Sequence, residues 1–207
     1  MYREKPLKTY LDELASSQPT PGGGSAAALT GSMAAALASM VARLTLGKSG
    51  YEDVQQEIEK LLHSTEMLRA RFEQLMMADI EAYGRLSVCF KMPRATDEQK
   101  TARTSAIQAR LVEAAQVPLE MAECAAELAQ YCVRIAEIGN KNVLSDVATG
   151  AMLAAGAGNG AAWMVRTNLK AMKDMATVQA CNDRLLAALH RLEMFSQQVA
   201  SIVGERA

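Results

Sequence analysis

The chain has 207 residues and a formal net charge of −1; half of it is hydrophobic, yet aromatic residues make up only 4%. That length accommodates one substantial core, and the near-neutral charge, with no Lys/Arg run, excludes a general nucleic-acid binder. A core drawn from Ala, Leu, Val, Ile and 13 Met favours close helix packing over a sheet.

The elements follow in chain order. A short leading helix is expected from Pro6 to Ser16, with Leu7, Tyr10, Leu11 and Leu14 on one face. A second runs from Ser25, as N-cap, to Leu46 and stops at Gly47. Gly31, Ala35 and Ser39 lie four apart on it, a spacing that lets helix backbones approach closely. Thr30, Ser32, Ser39 and Arg43 interrupt its apolar run, so it reads as a buried helix rather than a membrane span. The third extends from Tyr51 to Phe90. Its stripe of Val54, Ile58, Leu61, Leu62, Leu68, Phe72, Leu75, Met76, Ile80 and Tyr83 has helical spacing, and Met92-Pro93 ends it.

The fourth is expected from Asp97, as N-cap, to Ile138, with Lys100 and Arg103 in solvent and a kink at Pro118. The fifth spans Asn142 to Met172. Its glycines at 150, 156, 158 and 160 require either close helix contact or a break near Gly156 to Gly160. The sixth runs from Lys173 to Val203. No strand-like alternation, repeat or linker is present, so residues 1–207 read as one all-α domain: an elongated, mostly antiparallel bundle of five main helices plus the short N-terminal one. A third helix of nearly forty residues exceeds what a small monomer covers, which predicts a homodimer. Cys89, Cys124, Cys132 and Cys181 form no CxxC pair or zinc spacing, and the N-terminus has no apolar leader core. Buried, reduced thiols, a cytoplasmic location and no metal are the expectation.

Two kinds of residue carry chemistry. The turn Pro19-Thr20-Pro21-Gly22-Gly23-Gly24-Ser25 feeds a helix N-terminus, where free N–H groups and the helix dipole can meet an anion; it can equally be a tight turn needed for packing. It is neither a Walker A loop nor a dinucleotide fingerprint. Asp79 and Asp146 each interrupt apolar surroundings, which raises a carboxyl pKa and suits an acid or base near neutrality. Their other reading is a solvent-facing or helix-capping carboxylate. Lys91 and Lys48 follow helix ends, where a lysine ordinarily meets the dipole, and Asn142, Ser145 and Asn168 offer amide and hydroxyl groups or interhelical glue. His63 and His190 occupy solvated helical positions.

The run Ser17-Gln18-Pro19-Thr20-Pro21-Gly22-Gly23-Gly24-Ser25-Ala26-Ala27-Ala28-Leu29, continuing to Met40-Val41-Ala42-Arg43-Leu44-Thr45-Leu46-Gly47-Lys48, resembles the opening signature of the formimidoyltetrahydrofolate cyclodeaminase family, which includes methenyltetrahydrofolate cyclohydrolases. Asp79 with Ala82-Tyr83, Lys91-Met92-Pro93, Val117-Pro118-Leu119, Gly139-Asn140 with Asn142 and Ser145-Asp146, and Asn168-Leu169 match in order along nearly the whole chain. The resemblance implies a dimeric helical enzyme of one-carbon metabolism with a folate substrate, no further cofactor, and no nucleic-acid or membrane partner. On it, Asp79, Asp146 and Lys91 are the expected catalytic residues. Gly22, Gly23, Gly24, Ser25, Lys48, Asn142, Ser145 and Asn168 are the expected substrate-binding ones. The implied reaction closes 5-formimidoyltetrahydrofolate to 5,10-methenyltetrahydrofolate with loss of ammonia; hydrolysis of the methenyl compound is the alternative, and an inactive helical interaction module a third. Cyclodeaminases of this kind are often fused to a formiminotransferase, for which these residues leave no segment, so a separate formiminotransferase is the expected partner.

Overall fold

The computed structural model describes residues 2–206 and shows no strand among them. Six α-helices appear: α1 (Leu7–Leu14), α2 (Gly23–Arg43), α3 (Gln55–Phe90), α4 (Asp97–Ile138), α5 (Leu144–Lys170) and α6 (Met175–Arg206), with 3-10 turns at Tyr2–Glu4, Glu52–Val54 and Lys141–Val143. From α2 to α6 the helices alternate in direction. Gly24 of α2 lies against Asp79 of α3 and Ser39 against Thr65, so these two run antiparallel. Gly23 meets Met164 and Gly150 meets Ala34, which sets α2 antiparallel to α5 as well. α6 lies parallel to α4, laced by Arg184–Glu123 and Arg191–Gln130.

Small residues make this packing possible. Ala28, Ala34, Ala35 and Ala38 of α2 have no exposed surface, and nor do Ala125, Ala126 and Ala129 of α4 or Ala151 and Ala154 of α5. A Cβ on Gly31 would lie 2.5 Å from the Phe72 ring, so the glycine admits that aromatic side chain at the α2–α3 contact. Two of the glycines of α5 serve the same purpose without breaking it: Gly150 sits under the Ala34 carbonyl, while Gly158 leaves room for Leu192 and Ala125.

Several expected details are corrected. Ser25 is not the N-cap of α2. The cap is Gly22, and Ser25, one turn in, accepts the Gly22 N–H at 3.2 Å and donates to the Gly22 carbonyl at 2.9 Å. Thr96, not Asp97, caps α4, because its hydroxyl accepts the Gln99 N–H while the Gln99 side chain returns to the Thr96 backbone. As expected, Pro118 lies in the interior of α4. Arg103 is half-buried, its guanidinium reaching the Phe90 carbonyl at 3.2 Å. On α1 only Tyr10 is buried; Leu7 and Leu11 are exposed. All four cysteines are free and buried, and burial pushes the Cys124 and Cys132 thiols up to about 12, far from a reactive thiolate. α2 is long and apolar enough to cross a membrane by length and composition, and it is the helix wrapped by α3 and α5.

Candidate active site

One end of the bundle is open. There the glycine turn enters α2, α3 and α5 reach their C-termini, and the first half of α4 passes beneath. Between them lies a cleft of about 330 Å³. Leu86 and Phe90 of α3, Leu111 and Ala114 of α4 and Met164 of α5 supply apolar walls. Polar atoms are few, as in most small-molecule sites: Asp79, Tyr83, Thr20, Thr167, Asn168 and the backbone of Gly22, Gly23 and Gly24.

Among the described residues, Asp79 is the only acidic one on the cleft wall. Burial raises its carboxyl from the usual range to about 6, opposed by a hydrogen bond from the Ser25 backbone. No cation contributes to that balance. The carboxylate sits so close to Gly24 that a Cβ there would overlap it. Gly24 is therefore a matter of space, and the glycine turn and Asp79 form one unit. Asn168 donates Nδ2 to the Ala114 carbonyl at 2.8 Å, which fixes its amide and leaves Oδ1 as an acceptor.

The structure thus brings together Asp79, Gly22, Gly23, Gly24 and Asn168. Ser25 lies just behind the wall, fully buried, and touches the site through its backbone. Lys91 is exposed one residue past Phe90, at the C-terminus of α3. Lys48, Asn142, Ser145 and Asp146 lie elsewhere. α5 runs antiparallel to α2, so its first turn is at the far end of the bundle. At about 1.5 Å per residue, Asp146 stands roughly 33 Å along α5 from Asn168. It occupies the first turn of that helix, where a carboxylate meets the positive end of the dipole. Asn142 hangs from its neighbour, its N–H donated to Asn140 Oδ1 at 3.1 Å. Lys48 lies in the turn after α2, held by its N–H to the Thr45 carbonyl.

Residues 6–187 match the formiminotransferase-cyclodeaminase family. The chain belongs to that family. It is 42% identical over 171 residues to the methenyltetrahydrofolate cyclohydrolase of Methylorubrum extorquens, covering 82% of each chain. It is 34% identical over 185 residues to the formimidoyltransferase-cyclodeaminase of Sus scrofa, of which it spans 34%. The crystal structure of formiminotetrahydrofolate cyclodeaminase from Thermotoga maritima superposes with a TM-score of 0.91 at 31% identity, over 99% of this chain and 98% of that one. The all-α architecture is the family's architecture.

Tyr83, Thr167 and the apolar wall were not among the residues expected from sequence to touch a ligand. Tyr83 carried a visible signal, standing one turn after Asp79 within the same motif. Leu111, Ala114 and Met164 carried none, because their helical spacing is that of ordinary core positions.

Proposed function

We propose that the chain acts on the one-carbon unit between N5 and N10 of a tetrahydrofolate, with cyclisation of 5-formimidoyltetrahydrofolate as its reaction. The observation that carries this is a single carboxyl in an apolar cleft, poised near pH 6 and facing a fixed amide. The formimidoyl group enters as its amidinium cation; N10 attacks its carbon, and the new C–N10 bond forms as the N10 proton passes to the Asp79 carboxylate. Asp79 then returns that proton to the exocyclic nitrogen, the C–N bond breaks, and ammonia leaves. The methenyl cation remains beside the regenerated carboxylate, which stabilises it. One group can serve as both base and acid because the proton is conserved within the turnover. Ring closure is intramolecular, so holding the two nitrogens in reacting geometry supplies much of the rate. In this reading Asn168 recognises the pterin edge, the Gly22–Gly24 backbone meets a carbonyl or carboxylate, and Lys91 at the rim meets the glutamate tail.

A second reading is favoured by the 42% identity to a cyclohydrolase of matching length. There Asp79 takes a proton from water as it attacks the methenyl carbon and returns it to N5 as the C–N5 bond breaks; the remaining hydroxyl proton passes to solvent, leaving 10-formyltetrahydrofolate. Purified protein given 5-formimidoyltetrahydrofolate decides between them. Ammonia release with the near-ultraviolet absorbance of the methenyl product establishes the first; loss of that absorbance from methenyltetrahydrofolate alone establishes the second. Neither activity in folded protein that also fails to bind tetrahydrofolate by calorimetry returns it to an interaction module.

The proposal extends to assembly. Met33 and Met40 on α2, Leu44 at its C-cap, and Met152 and Trp163 on α5 are exposed along the outer sides of one helix pair. α2 carries no charge before Arg43. A second copy of the chain covers this face, giving a homodimer; a monomeric mass in solution scattering at micromolar protein overturns it. Asp146 lies on the same helix pair, so it reaches a cleft only as a residue of the neighbouring copy. Mixing Asp79→Asn with Asp146→Asn protein tests this, since about a quarter of the activity returns in mixed two-fold dimers if each site takes one residue from each copy. The enzyme so read is cytoplasmic, needs no cofactor beyond the folate, and receives its substrate from a separate formiminotransferase.

A further inference from the structure

Tyr10 is the one deeply buried residue of α1, 3% exposed, and nothing in the reaction above uses it. Its hydroxyl lies 3.2 Å from Ser25 Oγ. The direction of that bond follows from counting protons. Ser25 has one hydroxyl proton, and the Gly22 carbonyl, a pure acceptor 2.9 Å away, takes it. The Gly22 N–H donates to the same oxygen at 3.2 Å. Tyr10 must therefore donate, and Ser25 Oγ is saturated with one bond given and two received. The Ser25 backbone is in turn the hydrogen-bonding partner of the Asp79 carboxylate.

We infer that Tyr10 is a positioning residue for Asp79: its hydroxyl pins Ser25, and through Ser25 fixes both the glycine turn and the donor that meets the carboxylate. This rests on Asp79 being the acid–base group of the cleft. α1 then acts as a brace across the start of α2. It is itself anchored by the edge-on contact of Tyr2 with Tyr10 at 5.4 Å and by the bonds of Tyr2 and Lys5 to Glu13. The groups facing Asp79 leave few competitors. α1 presents Tyr10 and α3 presents Tyr83; α2 offers Gly24 and Ser25, α4 Leu111 and Ala114, and α5 Met164, Thr167 and Asn168, none of them charged. Burial raises the Asp79 carboxyl and the Ser25 backbone donor opposes it, so a displacement of Ser25 moves the point at which Asp79 titrates.

Tyr10→Phe keeps the ring and removes the donor. The readout is the titration midpoint of the Asp79 carboxyl, followed by carbon-13 NMR in the full-length, folate-free protein and identified by its loss in Asp79→Asn. The expected result is a rise of about half a unit or more, because the bond favouring the charged form is loosened. Turnover at pH 7 falls several-fold, with KM within two-fold of wild type. Ser25→Ala keeps the backbone N–H but loses the hub, so it should reproduce the shift, and the double variant should add nothing beyond the larger single effect. A lower melting temperature with an unmoved midpoint in both variants overturns the proposal, leaving Tyr10 a packing residue. Because the titration is read without substrate, that outcome is separate from failure of the catalytic reading, which shows as wild-type turnover in Asp79→Asn. If Tyr10→Phe does not fold, Ser25→Ala alone decides by the same midpoint.

Discussion

The two ends of the α2–α5 pair treat polar groups in opposite ways. At the far end, α2 closes against the α4–α5 joint in a knot with its donors and acceptors matched. Thr45 donates to the Val41 carbonyl at 2.8 Å and accepts the Asn140 N–H at 2.9 Å, Asn140 Nδ2 reaches the Leu44 carbonyl, and the Lys141 N–H meets the Tyr51 hydroxyl. At the near end a carboxylate is enclosed by apolar walls with one backbone donor and no cation. Buried polar groups that are fully paired rigidify a structure, whereas one left short of partners is held at a cost and has an altered proton affinity. Thr45 and Asn140 spend their hydrogen bonds on joining α2 to the α4–α5 turn, whereas Asp79 keeps a carboxyl open to the cleft.

That contrast can be broken at either end. Asp79→Asn should cut turnover by about a hundredfold or more; turnover within a few-fold of wild type would leave the near end no different from the far one. The same variant changes the pH dependence of stability. Asp79 titrates at about 6 in the folded chain against 3.8 as its ordinary value. The folded state therefore holds the proton more tightly, and the stability that this contributes is present below pH 4 and lost as pH rises through 6. The difference is at most about 3 kcal/mol, and denaturant melts from pH 4 to pH 7 should show the slope in wild type and lose it in the variant. Gly24→Ala drives a methyl into that carboxylate; a tenfold or greater loss of turnover, with about 1–3 kcal/mol of stability, is expected from overpacking.

At the closed end, Asn140→Ala orphans a buried knot, so it should cost about 1–3 kcal/mol in denaturant melts while turnover per folded molecule holds. A lost turnover there would extend the chemistry to the far end. Smallest is Gly156→Ala on exposed α5, where a Cβ meets nothing. It should raise stability by up to about 1 kcal/mol from helix propensity alone; a loss instead would place a close neighbour on that face.

The helices were legible because their punctuation is chemical: Met92-Pro93 beyond α3, Gly139-Asn140 between α4 and α5, and the three-and-four spacing between. Helix ends were less so. Ser25 looks like a cap by type, and only the chain path shows that Gly22 caps while Ser25 reaches back. The site was half legible. The glycine turn and Asp79 each announce themselves, but which motif residues share a cleft depends on how α5 lies against α2, and periodicity carries no direction. Asp146 and Asn168 share one helix and one sequence neighbourhood yet stand at opposite poles. Tyr10 was invisible as anything but an apolar-face residue, since its partner is a hydroxyl brought near by tertiary folding.

The alanine packing of α2 has a mechanical side. A methyl has no rotamers, so the interface between α2 and its neighbours cannot adjust by flipping side chains, and a close-packed interior of this kind passes displacement on rather than absorbing it. Adjustment at the cleft is then left to the rotatable Leu86, Phe90 and Met164 side chains that line it, while α2, tied at its far end through Thr45 and Asn140, keeps the glycine turn in place.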